Sequence, residues 1–200
     1  MQCEHVCLSL KVINRTLTLQ GCGMDRRQFI KTSLVSSGVI IGLGGGALVL
    51  VDGTSKDELT IDLALKKLET LSDKKLIHLG QWNPYQIFTH CAQSVEYSMS
   101  KFPEHKSEFF KGTLGKLAFS FFSHKGEMTH GLNELIPGAP NFELTTQVDI
   151  AINRLKEALI AFDNYQGDTA PHFAYGELTK QQYEVAHVMH LYNHLEEIKS

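Results

Sequence analysis

Tyr183, His187, His190 and His194 follow one another at intervals of four, three and four residues. That is the rhythm with which a packed helix repeats its buried seam. Leucine is the ordinary occupant of such positions. An imidazole buried there loses its hydration unless it finds a partner, and one metal ion is the most economical partner for several imidazoles at once. His190 and His194 leave the same face of the helix about one turn apart, a spacing at which two imidazoles chelate a single ion. Taken alone, such a pair also fits two histidines packed for structural reasons. His90 tips the balance: with Ile87, Ser94 and Tyr97 it falls at spacings of three and four, on the inward face of an earlier helix. The spacing therefore predicts a shared divalent-metal site of His90, His190 and His194. Imidazole ligands suit zinc, nickel or iron alike.

Other residues fall around this set. His187 precedes His190 by three positions and is open to three roles: ligand, hydrogen-bonding partner of a ligand, or proton donor. His172, in Pro171–Gly176, and His130, in Met128–Gly131, read either as ordinary loop histidines or as groups at the mouth of the site. His78, His105 and His124 read as surface residues. Cys91 adjoins His90 but points about 100° away around the helix, so it reads as a small buried residue. Trp82 reads as an apolar anchor at a helix start rather than a platform for substrate. The interior of the His-x-x-x-His segment is Leu191, Tyr192 and Asn193, with no carboxylate to act as a base. No catalytic residue is assigned. A metalloenzyme with open coordination positions and a protein that uses the ion only to pin two helices both remain open.

Helices must bring these residues together. Residues 55–72 read as the first, opened by a capping box of Ser55 and Glu58 and lined by Ile61, Ala64, Leu65 and Leu68. Residues 83–101 read as the second, with Asn83 as N-cap, Pro84 in the first turn and Gln86 completing the box. A long connection follows over residues 102–144. It holds a short helix at 107–122 with Phe109, Phe110, Leu114, Leu117 and Phe121, and a rigid loop at 136–140. The third long helix spans 146–165, with a core seam of Val148, Ile152, Leu155, Leu159 and Phe162. The fourth spans 179–199, opened by Thr179 and Gln182. Short link, long link, short link predicts an all-α four-helix bundle with a long crossover between helices 2 and 3.

The N-terminal residues read as an address. Met24-Asp25-Arg26-Arg27-Gln28-Phe29-Ile30-Lys31 resembles the twin-arginine export signal, with Asp25 where a serine or threonine is usual. A weakly apolar run with serines and glycines follows over residues 32–51, as suits that route. The run is also about long enough to span a bilayer, so an uncleaved anchor in the inner membrane competes with release to the periplasm. The organisation expected is an upstream extension at 1–23, a signal and linker at 24–54, and the metal-binding bundle at 55–200. The twin-arginine translocase is then a partner, through Arg26, Arg27, Phe29 and Lys31. The membrane is a partner only if the signal is retained.

Composition narrows the classes. Apolar residues make up 42% of the 200, enough for a core of ordinary size. A net charge of −3, with no basic block after the first fifty residues, argues against nucleic acid as a partner. Of the four cysteines only Cys91 lies in the part expected to fold, which leaves no intrachain disulfide there. A small-molecule substrate and a homodimer are compatible with this composition.

The stretch Gly80-Gln81-Trp82-Asn83-Pro84-Tyr85-Gln86-Ile87-Phe88-Thr89-His90-Cys91-Ala92-Gln93-Ser94 resembles the second-helix signature of the DinB/YfiT-like superfamily. Within it the chain is most similar to a subfamily known only as a domain of unknown function, which the segments 136–140, 171–176 and 187–195 also resemble. The likeness runs over about residues 56–198. It implies a four-helix bundle with one metal ligand on the second helix and a His-x-x-x-His pair on the fourth, matching His90, His190 and His194. Asn193 stands where the subfamily pattern implies a further histidine. Relatives of this kind include thiol-dependent transferases and proteins suspected of metal-dependent hydrolysis; a metal-dependent hydrolase or thiol transferase is thus one expectation, but the subfamily resemblance implies no settled reaction.

Overall fold

The computed structural model describes residues 58–142, 145 and 147–200. The export-signal residues Arg26, Arg27, Phe29 and Lys31, and the apolar run after them, lie outside the described residues.

Helix α1 is Ile61–Ser72, and the Thr60 side chain accepts from Leu63 N at its start. It begins six residues later than the sequence suggests. Thr60 is extended (φ −116°, ψ 150°) and caps the helix itself, while buried Leu59 ties the preceding backbone to the core. Ser55 lies outside the described residues. One first-turn N–H, that of Ile61, is satisfied from across the molecule by Glu184 Oε1 at 3.3 Å.

Helix α2, Pro84–Met99, starts as its sequence requires. Asn83 and Gln86 exchange side-chain and backbone hydrogen bonds, with Pro84 in the first turn. The connection that follows carries α3, Glu108–Phe110, a π-helical turn, Lys111–Gly115, and α4, Lys116–Lys125, which Gly126 ends in the left-handed conformation (φ 76°). A π turn holds an extra residue, which rotates the downstream helix by roughly 100° relative to an uninterrupted α-helix. Lys111, Gly115 and Phe119 are thereby turned inward. Phe109, Leu114, Leu117 and Phe121 of this segment are all more than half exposed.

Helix α5, Val148–Asp163, buries Ile152, Leu155, Leu159 and Phe162 as one seam. Arg154 forks onto Glu96 of α2 through two bonds of 2.8 and 2.7 Å, tying the outer edges of the two helices. Helix α6, Lys180–Leu195, opens with the reciprocal bonds of Thr179 and Gln182. It stops four residues short of the expected end. Glu196 and Glu197 turn back on Asn193 and His194, and Ile198–Lys199 forms strand β2, antiparallel to strand β1 at Ile77–His78. The pairing uses two β-branched isoleucines and is extended by Leu79 N to Glu197 O at 2.8 Å. The described residues are thus mostly helical with one two-stranded ribbon. Helices α1, α2, α5 and α6 share one core, in which α2 lies against both α5 and α6.

Candidate metal centre

His90 projects from α2, and His190 and His194 from α6. All three are buried, with His194 wholly so. Their inward direction follows from the seam positions they occupy. His90 Nε2 lies 3.1 Å from His190 Nε2, and His194 Nε2 lies 3.2 Å from the same atom. A ring nitrogen carries either one hydrogen or one lone pair, so His190 Nε2 can serve at most one of its two neighbours well. Three imidazoles thus point their Nε2 atoms at one spot with too few protons in the right places. Ligand nitrogens around a tetrahedral ion with bonds of 2.0–2.1 Å sit about 3.3–3.4 Å apart. The observed separations fall within a few tenths of an ångström of that value.

His130 joins them. It comes from the loop after α4, half-buried, and its ring centroid lies 4.8 Å from that of His190 and 5.0 Å from that of His194. One nitrogen from each of His90, His130, His190 and His194 lies within 4.8 Å of the others, a group able to hold a metal ion. Buried Met128 and Ile136 anchor the two sides of this loop, and Ala139 N closes a turn onto Ile136 O. Neither ring nitrogen of His130 has a hydrogen-bond partner among the described residues. The same holds for Asn193 Oδ1 and for Nδ1 of His90 and of His194. Packing positions the latter two rings instead. Trp82 stacks on His194 with ring planes 7° apart and meets His90 edge-on at 5.0 Å.

The electrostatics suit a cation. Burial, and then the neighbouring His130, push His90 down to about 3. Burial and the neighbouring histidines push His194 down to about 2. Burial also holds His190 well below its ordinary value, and His130 below it. All four are therefore neutral at pH 7, the form that binds metal. No carboxylate belongs to the group, so a divalent ion there would keep its full charge and would favour an electron-rich further ligand.

His187 and His172 stand apart from this cluster. His187 Nε2 contacts Ser98 Oγ at 3.0 Å, and its ring stacks on Tyr183. His172 Nδ1 accepts from both Ala174 N and Tyr175 N at 3.1 Å, inside a tight loop closed by Gly176 (φ 77°). Both nevertheless line a cavity of about 130 Å³ that His90, His130 and His190 also line. His78, His105 and His124 are exposed, and Cys91 is buried, as their positions suggest.

Sequence reasoning left His130 undecided, because a loop has no period from which direction can be read. The part Trp82 plays was also missed. It is the expected buried anchor, but what it anchors is the imidazole pair.

A family model described as Protein of unknown function (DUF1569) matches residues 54–200. Neither the curated proteins nor the solved structures contain a match to the chain.

Proposed function

The chain belongs to the DUF1569 family of proteins of unknown function, and from that premise we propose that it binds a divalent metal ion through His90, His190 and His194. The carrying observation is the convergence of three buried Nε2 atoms, at 3.1 and 3.2 Å, on a point their own protons cannot satisfy. Zinc, nickel and iron all accept such a donor set. A bound ion would supply Lewis acidity, the chemistry of metal-dependent hydrolysis or thiol transfer. The chain's own residues hold the ligands neutral by burial, keep the rings in place through Trp82, and leave a cavity beside them for a small molecule. In this reading α1, α2, α5 and α6 form a DinB/YfiT-like four-helix bundle, and the connection through α3 and α4 is its crossover.

His130 favours a second reading. Should it complete the shell as a fourth ligand, the site closes and the ion serves to pin α2, α6 and the 126–136 loop together. Metal analysis of protein purified without an affinity tag tests the main reading. About one equivalent of a first-row ion is expected, lost in the His90→Ala/His190→Ala/His194→Ala variant. Equal metal in both would overturn it. Spectroscopy of a cobalt-substituted sample separates the two readings: an exchangeable non-protein ligand supports catalysis, and four imidazoles support a structural site.

The export reading is also ours. Arg26, Arg27, Phe29 and Lys31 direct the folded chain to the twin-arginine translocase, placing it in the periplasm or, if residues 32–51 are retained, at the inner membrane. A route that carries folded cargo suits a protein loaded with metal before export. Replacing Arg26 and Arg27 by lysine keeps the charge and should stop translocation. Normal arrival of that variant in the periplasm would refute the assignment.

A further inference from the structure

Two histidines outside the proposed ligand set have their protons fixed by the protein. Ser98 Oγ donates its only hydrogen to Val95 O at 2.6 Å. Toward His187 it can therefore only accept, so the hydrogen of the 3.0 Å contact sits on His187 Nε2. His187 Nδ1 is left with a bare lone pair. His172 is the mirror case. Its Nδ1 accepts two backbone N–H groups, so its single hydrogen must sit on Nε2. Neither His187 Nδ1 nor His172 Nε2 has a hydrogen-bond partner among the described residues, and both rings are more than nine-tenths buried. Both line the cavity shared with His90, His130 and His190. Two rings of its wall thus carry one fixed acceptor and one fixed donor, and burial keeps both rings uncharged.

We propose that this cavity takes a compact, uncharged ligand bearing a primary carboxamide or a hydroxyl, its oxygen accepting from His172 Nε2–H and its hydrogen donated to His187 Nδ1. A carboxylate offers acceptors only and would set an oxygen lone pair against that of His187 Nδ1. At about 130 Å³ the space is close to the roughly 150 Å³ that houses benzene in an apolar protein cavity, so it suits a ligand of a few heavy atoms. Lys106 also lines the cavity and would favour an anion, as would a divalent ion on His90 and His190, so the carboxylate is the rival to be separated. As a substrate site the cavity rests on the metal reading above. As a binding site it rests only on hydrogen bonds within the protein.

The test uses the full chain with its imidazole nitrogens labelled, with and without added zinc. Nitrogen-15 spectra should show both His172 and His187 as the Nε2–H tautomer. Titration with propionamide, 1-propanol and propionate, nearly equal in size, should move the His172 and His187 ring signals. Propionamide or 1-propanol should half-saturate at least tenfold below propionate. His172→Phe, which keeps a ring against Tyr175, should abolish that preference. A different tautomer at either ring, no response to any probe, equal or tighter propionate binding, or an unchanged preference in the variant would each overturn the proposal. If the variant fails to fold, the tautomers and titrations of the unaltered protein decide alone. Zinc content measured on the same samples keeps the two ideas apart. Bound metal without the preference refutes this inference only, and the preference in protein that binds none of zinc, nickel or iron refutes the metal reading only.

Discussion

Lowering the pH from 7.5 to 5 in the presence of a chelator should destabilise the protein far beyond what its modest net charge implies. Burial holds His90, His172 and His187 near 3, and His194 near 2. In the unfolded chain each returns to about 6.5. At pH 5 the unfolded chain therefore takes up nearly one proton per histidine, while the folded state takes up almost none. Stability must fall with falling pH, beginning near 6.5 and continuing toward 3, and it should be flat above about 7.5. The slope is about 1.36 kcal/mol per pH unit for each proton, which gives about 2 kcal/mol per histidine at pH 5. His172 and His187, outside the proposed ligand set, contribute about 4 kcal/mol between them. Adding His90 and His194 brings the loss to about 8 kcal/mol, against a whole-domain stability of about 5–15 kcal/mol. Urea unfolding followed by circular dichroism at pH 7.5, 6 and 5 measures this directly. The midpoint should drop steeply with little change in slope against urea. A loss under about 1 kcal/mol by pH 5 would mean that these rings are charged or hydrated in the folded state, and the burial argument would fail.

Three further outcomes are expected. Leu155→Ala, at a position 1% exposed on the α5 seam, should cost about 2–5 kcal/mol in chemical denaturation; a loss under about 0.5 kcal/mol would place Leu155 on the surface. Gly115→Ala should destabilise and disturb the 172–176 loop, seen as shifted His172 ring signals, because a Cβ at Gly115 would run into the backbone carbonyl of Ala174; an unperturbed spectrum would refute that contact. His130→Ala should weaken zinc binding less than His190→Ala does, because His130 alone of the four comes from a loop, whereas His105→Ala should leave it unchanged; equal losses at His130 and His190 in a zinc titration would make His130 a full ligand.

Periodicity carried the sequence reading as far as it reached. The direction of His90, His190 and His194 could be read because each sits in a run of residues three and four apart, and the capping boxes of α2 and α6 are local chemistry that two side chains settle in each. The start of α1 was misplaced because Ser55 and Thr60 are both competent caps, and burial of Leu59 decides between them. Strand β2 was hidden in an apparent helix because its partner at Ile77–His78 is more than a hundred residues away in sequence. The π turn had the same effect on the short helix. It displaced the downstream face by one residue, turning Phe119 inward and leaving Leu117 and Phe121 in solvent. His130 and Trp82 joined the centre through tertiary packing, which no spacing encodes.

The chain has a single tryptophan, and its ring centroid lies 5.0 Å from that of His90 and 6.0 Å from that of His194. Its ultraviolet emission therefore comes from one address, undiluted by other indoles. An open-shell ion such as nickel at the centre would quench that emission by short-range electron or energy exchange, whereas closed-shell zinc would leave it bright and only shift its colour. Loading, exchange and loss of metal can thus be followed in real time on unlabelled protein, and the direction of the intensity change distinguishes the two ions.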